Sequence, residues 1–314
     1  MAVISVEHLH KRYGRTVAVE DVSLSVERGE IFGIVGPNGA GKTTTVEVIT
    51  GLRRPDGGTV TVLGLDPFRD RVELRRRVGV QLQDSTLPDK LTVAEALDLY
   101  ASFYPAPLDA DALLADLGLA EARSRPYAAL SGGQKQRLSV ALALIGDPEI
   151  AVLDELSTGL DPQARRETWA LIERIRDRGV TVLLVTHAME EVQRLCDRVA
   201  IIDRGRVVAL DTPAALVGRV TAAQRIRFRP TAPFDDTLLR GLAEVASLQR
   251  DGDDVVVTGD GQLLYAVTAV LARHRIGATH LRMDAATLED AFLALTGRSA
   301  DDRDPTAPLA TGAA

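Results

Sequence analysis

The run Gly36-Pro37-Asn38-Gly39-Ala40-Gly41-Lys42-Thr43 constrains this chain more than any other segment. It has the spacing G-x-x-x-x-G-K-[ST]. An apolar stretch, Glu30-Ile31-Phe32-Gly33-Ile34-Val35, precedes it, and a helix-compatible run from Lys42 to Ile49, ended by Gly51, follows. A strand that stops in a glycine-rich turn and restarts as a helix wraps its backbone around a phosphate. The glycines let the chain turn tightly and aim N–H groups inward, and the helix start adds its partial positive charge. Lys42 is then placed to pair with the β- and γ-phosphates of a nucleotide and the Thr43 hydroxyl to ligate Mg²⁺. Residues Gly36 to Thr43, with Thr44, form the expected ATP-binding loop.

Two further motifs belong with this loop. Ile150-Ala151-Val152-Leu153-Asp154-Glu155 is an apolar strand ending in two acids, which places both at the carboxyl edge of a sheet, beside the phosphate loop. Asp154 is expected to hold Mg²⁺ and Glu155 to polarise the attacking water. Leu130-Ser131-Gly132-Gly133-Gln134 precedes the helical run Leu138 to Ile145. Ser131 is a helix N-cap, and the two glycines leave N–H groups bare, which makes a second anion site. One nucleotide needs one phosphate loop, so the second site suggests a nucleotide clamped between two subunits.

Taken together and in this order, the phosphate loop, Leu-Ser-Gly-Gly-Gln and the strand ending in Asp-Glu resemble an ABC-type nucleotide-binding domain over roughly residues 2 to 216. The resemblance implies a head-to-tail homodimer, with each ATP between the phosphate loop of one copy and Ser131, Gly132, Gly133 and Gln134 of the other. It also implies further roles. Tyr13 would stack on adenine. His187, after Thr186, would be the switch histidine that contacts the γ-phosphate. Gln83 would reach Mg²⁺ and the attacking water, with Gln81 as its competitor. Ser157-Thr158-Gly159-Leu160-Asp161-Pro162 would form the loop that crosses the dimer interface, with Ser157, Gly159 and Asp161 as its marked residues. Leu156 stands where the family usually has proline, and Glu-Leu-Ser-Thr-Gly-Leu-Asp-Pro looks like a branch of drug and antibiotic exporters. The closing Leu288-Glu289-Asp290-Ala291-Phe292-Leu293 resembles the end of that branch's accessory domain. The implied function is an ATPase subunit at the cytoplasmic face of the membrane, powering a separately encoded multi-span permease. Its alternatives are an ABC subunit of another transport direction and a soluble ABC ATPase of DNA repair or translation, though the latter usually carries a coiled coil, a zinc insertion or a fused second ATPase domain.

Buried apolar strands alternating with helices point to an α/β fold with a parallel sheet covered on both faces. Residues 84–147 read as mostly helical, a helical subdomain within an ATPase domain of residues 1–219. From residue 220 to 298 short strands (Arg225 to Arg229, Asp254 to Thr258, Thr279 to Met283) alternate with short helices, the mark of a small α+β domain. Its last helix carries Leu288, Ala291, Phe292 and Leu295 on one face. Residues 299–314, rich in Asp, Pro and Ala, read as a disordered tail. A net charge of −7 argues against nucleic acid as partner. The single cysteine, Cys196, rules out an intrachain disulfide and reads as a small core residue, in keeping with a reducing cytoplasm. No segment reaches the roughly 18 apolar residues of a membrane span.

Overall fold

The computed structural model describes residues 2–81, 86–157, 159–219, 224–284 and 287–297. The chain divides into two compact units, Met1–Pro213 and Ala214–Ala314. In the first the elements run β1 (Ala2–Tyr13), β2 (Thr16–Glu27), β3 (Ile31–Val35), α1 (Lys42–Ile49), β4 (Gly57–Val62), α2 (Arg71–Arg77) and β5 (Val78–Gln81). The helices α3 (Val93–Ala101), α4 (Ala110–Asp116) and α5 (Gly132–Leu144) come next. Then follow β6 (Ile150–Asp154), α6 (Pro162–Asp177), β7 (Thr181–Val185), α7 (Met189–Leu195), β8 (Arg198–Asp203) and β9 (Arg206–Asp211), with α8 (Pro213–Arg219) at the boundary.

Among the described residues the strands of this unit form a nine-stranded sheet in the order β4-β1-β2-β9-β8-β3-β7-β6-β5. Every residue of β3, β6 and β7 is buried. That is why these strands read as continuous apolar runs: both faces are covered. The sheet is parallel from β5 through β6, β7 and β3 to β8. It is antiparallel where β1 meets β2 and β4 and where β8 meets β9. The expectation of a parallel sheet therefore holds only for the centre. Connections of a few residues, between Tyr13 and Thr16 and between Asp203 and Arg206, can join only antiparallel neighbours. Phe32, Ile34, Val152, Leu183, Val185, Ala200 and Ile202 carry the core up to the ends of the central strands.

The parallel register positions the chemistry. Ile34 pairs with Val185, and Asp154 pairs with Val185 from the other side. The segments that follow β3, β6 and β7 thus leave the sheet side by side at one carboxyl edge.

In the second unit, β10 (Gln224–Pro230), β11 (Val245–Asp251), β12 (Asp254–Gly259) and β13 (Ala278–Asp284) form an antiparallel sheet in the order β11-β12-β10-β13. The helices are α9 (Thr237–Arg240), α10 (Leu263–Arg273) and α11 (Leu288–Thr296). Ile226, Phe228, Val255 and Val257 pack with Val267 and Leu271 of α10 into a core of its own. Strand β11 has no counterpart in the sequence reading, because Leu248 is its only fully buried residue and the apolar alternation is too thin to see. In α11 Leu288 and Ala291 are buried, while Phe292 and Leu295 are half-buried. Among the described residues no helix is long and apolar enough to cross a membrane.

Candidate nucleotide-binding site

The loop between β3 and α1 is shaped by what surrounds its glycines. A Cβ at Gly36 would collide with the Ile202 carbonyl oxygen of β8, and one at Gly41 with the Ala18 carbonyl oxygen of β2. Gly41 also sits at φ 100°, where an L side chain is strained. Pro37 is half-buried, Asn38 and Gly39 are exposed, and Ala40 is buried. Lys42 is nearly buried, and its Nζ donates to the Gly36 carbonyl at 2.7 Å and the Pro37 carbonyl at 3.1 Å. Burial holds the Lys42 ammonium below its ordinary pKa, while the negative charges of Glu155 and Asp154 push it back up. The Thr43 side chain is exposed, Thr44 is half-buried, and Thr45 is turned inward, its hydroxyl donating to the Gly41 carbonyl at 2.9 Å.

The acid pair faces this lysine. Asp154 is 4% exposed, and burial together with the adjacent Glu155 pushes its carboxyl up to about 6, against the pull of Lys42. Glu155 is held at φ 53°, in the left-handed region. That turn sends the chain away from the sheet directly after Asp154, while the Glu155 N–H donates to the Val185 carbonyl at 2.8 Å. Its carboxylate lies 3.2 Å from Nδ1 of His187, which follows the buried Thr186. Asp154, Glu155, Thr186, His187 and Lys42 therefore form one cluster at the sheet edge. Leu156 is fully buried, so the residue standing in the place of the usual proline is a core side chain.

Gln81 plays a part that sequence reasoning missed. It is buried at the end of β5, and its Oε1 accepts the Asp154 backbone N–H at 2.9 Å. A polar residue closing a strand that pairs with the acid-bearing strand was the available signal. Gln83 and Thr158 lie outside the described residues.

Tyr13 closes β1, 39% exposed as a residue, with two cations near its ring, Lys11 Nζ at 5.6 Å and Arg53 Cζ at 5.3 Å from the ring centre. Ser131 and Gln134 make a reciprocal capping box at the start of α5: the Ser131 Oγ accepts the Gln134 N–H, and the Gln134 Oε1 accepts the Ser131 N–H. Both acceptor oxygens are used in this box, and the Ser131 hydroxyl proton and Gln134 amide protons remain as donors. Ser131 and Gly132 are exposed, and Gly133 is half-buried. Ser157 is buried, Gly159 is exposed at φ 75°, and Asp161 caps α6 by accepting from Gln163 and Ala164.

A family profile described as "ABC transporter" matches residues 19–158. The chain is 37% identical over 306 residues to the Nod factor export ATP-binding protein I of Ralstonia nicotianae, covering 96% of this chain and 95% of that protein. It is 35% identical over 311 residues to the daunorubicin/doxorubicin resistance ATP-binding protein of Streptomyces peucetius, covering 96% and 94%. Among solved structures, a subunit of a Clostridium perfringens ABC transporter complex superposes with a TM-score of 0.64 at 28% identity, over 69% of this chain and 91% of that one. A dimeric ATP-binding cassette in a post-hydrolysis state with ADP and Pi superposes with a TM-score of 0.59 at 26% identity, over 67% and 98%. Proteins of this family dimerise and work with membrane permeases. On relatives this similar along almost the whole chain, with the phosphate loop and the acid pair at one sheet edge, the chain belongs to the ABC transporter family as an ATP-binding, ATP-hydrolysing subunit.

Proposed function

We propose that two copies of the chain close head to tail on ATP and drive an export permease, and that the Glu155–His187 contact beside Lys42 is the hydrolytic centre. The observation that carries this reading is the 3.2 Å contact itself. It joins a carboxylate at the end of one strand to an imidazole at the end of the next, in a family that hydrolyses ATP. Glu155 accepts the proton of the attacking water as general base. His187 holds the γ-phosphate and fixes Glu155, Lys42 carries the β- and γ-phosphates, and Tyr13 stacks on the adenine. Ser131, Gly132, Gly133 and Gln134 of the second copy contact the same γ-phosphate with the donors their capping box leaves over. Ser157, Gly159 and Asp161 cross the interface.

The donor set beside the loop suits Mg²⁺, a hard cation that takes oxygen ligands. The Thr43 hydroxyl is exposed directly after Lys42, and the buried Asp154 carboxyl, raised to about 6, lies near enough to Lys42 to feel its charge and is mostly ionised at neutral pH. Thr43, Asp154 and Gln83 would hold the ion, which would neutralise charge on the phosphate oxygens.

Export is supported by the relatives, whose names place one with Nod factor export and another with daunorubicin and doxorubicin resistance. The substrate is accordingly a drug-like or antibiotic compound, and the membrane path is a separate multi-span permease on whose cytoplasmic side this subunit sits. Its movement is proposed to reach the permease through Gln83 and the helical segment after it. The test is co-expression with that permease in cells loaded with daunorubicin and a panel of other drug-like compounds. Faster loss of at least one compound with the wild-type chain than with its Glu155→Gln variant is expected. Equal retention of every compound refutes export.

A further inference from the structure

Glu191, in the first turn of α7, is fully buried. Neither of its carboxylate oxygens closes a hydrogen bond of normal geometry, and Trp169 Nε1 and Arg165 Nε of α6 are left over in the same way. The side chains of Thr186, Ser157 and Trp169 nonetheless face the carboxyl closely enough to favour its ionised form, and Arg165 attracts it. Burial outweighs them and pushes the group above the ordinary carboxylate range. A buried acid without closed partners is costly. Helix-dipole stabilisation does not account for it, since the neighbouring Glu190 fills that need from the surface, paired with Arg165 at 3.3 Å.

What distinguishes Glu191 is where its neighbours come from. Ser157, itself buried, lies two residues after Glu155. Thr186 comes directly before His187, and its Oγ1 already accepts the Ala188 N–H at 3.0 Å, so its own proton is available to the carboxyl. One acid thus stands between the two segments that carry the 3.2 Å contact. We propose that Glu191 is a positioning residue, the shared buried acceptor that holds the loop after Glu155 and the strand end before His187 in a single register. This rests on Glu155 and His187 being the hydrolytic pair.

The test is steady-state ATP hydrolysis by the full chain carrying Glu191→Leu, which keeps the volume and removes the polar atoms, or Glu191→Gln, which keeps both. Glu191→Leu is expected to lower kcat by about tenfold or more, with KM for ATP within about twofold of wild type, and Glu191→Gln to restore most of the loss. Wild-type kcat in Glu191→Leu, a loss in KM rather than kcat, or equal damage in both variants overturns the proposal. Should Glu191→Leu not fold, a double-mutant cycle of Glu191→Ala with Ser157→Ala decides: non-additive losses support the shared acceptor, and additive ones overturn it. Glu155→Gln is assayed alongside. If it hydrolyses at the wild-type rate, the pair is misassigned and the proposal falls with it. If it is inactive while Glu191→Leu is fully active, the positioning role alone falls.

Discussion

Two helix starts in the first unit are built from the same materials and use them in opposite ways. At α1, Gly41 enters in the left-handed region and no side chain caps the helix. The lysine that follows is folded back onto its own loop, with Asp154 and Glu155 close by. At α5, Ser131 and Gln134 satisfy one another, the space beside Gly132 is empty, and the nearest atom to a Cβ on Gly133 is the Ala164 methyl at 3.6 Å. The first helix start is closed in by β2 and β8 and assembled within one chain. The second is internally satisfied and points its spare donors outward, which suits a phosphate brought by another copy. On the proposed reading, side-chain caps would separate a phosphate site used in cis from one offered in trans.

This contrast is tested hardest at the α1 end by Glu155→Gln. Phosphate release is expected to fall by about 100-fold or more, with nucleotide affinity retained and a dimer accumulating on gel filtration with ATP. Near-normal turnover would remove Glu155 from the centre. Lys42→Ala comes next: losing charge-assisted contacts to phosphate should weaken nucleotide binding by about 10- to 100-fold in a titration.

Asp154 adds a pH signature. Its folded pKa, about 6, exceeds the ordinary 3.8, so its contribution to stability is fully present below pH 4 and lost as pH rises through 6. Asp154→Asn should therefore stabilise the ligand-free protein at pH 7 by about 1–3 kcal/mol in chemical denaturation, while abolishing Mg²⁺-dependent hydrolysis. A destabilised variant would mean that the ionised carboxylate is held by more than Lys42.

At the α5 end, Ser131→Ala should cost about 1 kcal/mol of stability through the lost cap and lower turnover, yet leave monomer affinity for nucleotide intact. Weaker monomer binding would show that both helix starts serve one nucleotide in cis. The smallest effect is expected from ending the chain after Arg219. ATP affinity should change by less than about twofold, because the phosphate loop and acid pair draw their contacts from the first unit, while dimer fraction and efflux fall. A collapse of affinity would place the second unit in the nucleotide site.

Much of this site is legible in sequence because its chemistry is local. Gly36 to Thr43, Asp154-Glu155 and Thr186-His187 each follow directly on an apolar strand, so spacing alone places them at strand ends. Three features are not local. Gln81 is named in sequence only as a rival to Gln83, since its bond to the Asp154 backbone exists only once β5 pairs with β6. Glu191 has no place in the sequence reading, because it is buried only once α7 packs on α6 and on the segments at Ser157 and Thr186. The place of β4 beside β1 is set by a pairing between distant segments, Val6 with Val60, which no periodicity reveals. Conversely, Cys196 reads as a small core residue in the sequence and is buried, its Sγ packed close against Gly33 of β3.

The left-handed turn at Glu155 has a consequence for anyone who sets out to make this protein more robust. A procedure that scores each position for stability would single it out at once: glycine there would relieve the backbone at a gain of up to about 1 kcal/mol. The buried acids at Asp154 and Glu191 would be marked for apolar replacement on the same grounds. Each change would raise the melting temperature and remove a group placed at, or next to, the proposed hydrolytic pair. Thermostabilised versions of this subunit should therefore be sought among surface and second-unit positions, with residues 154, 155 and 191 held fixed.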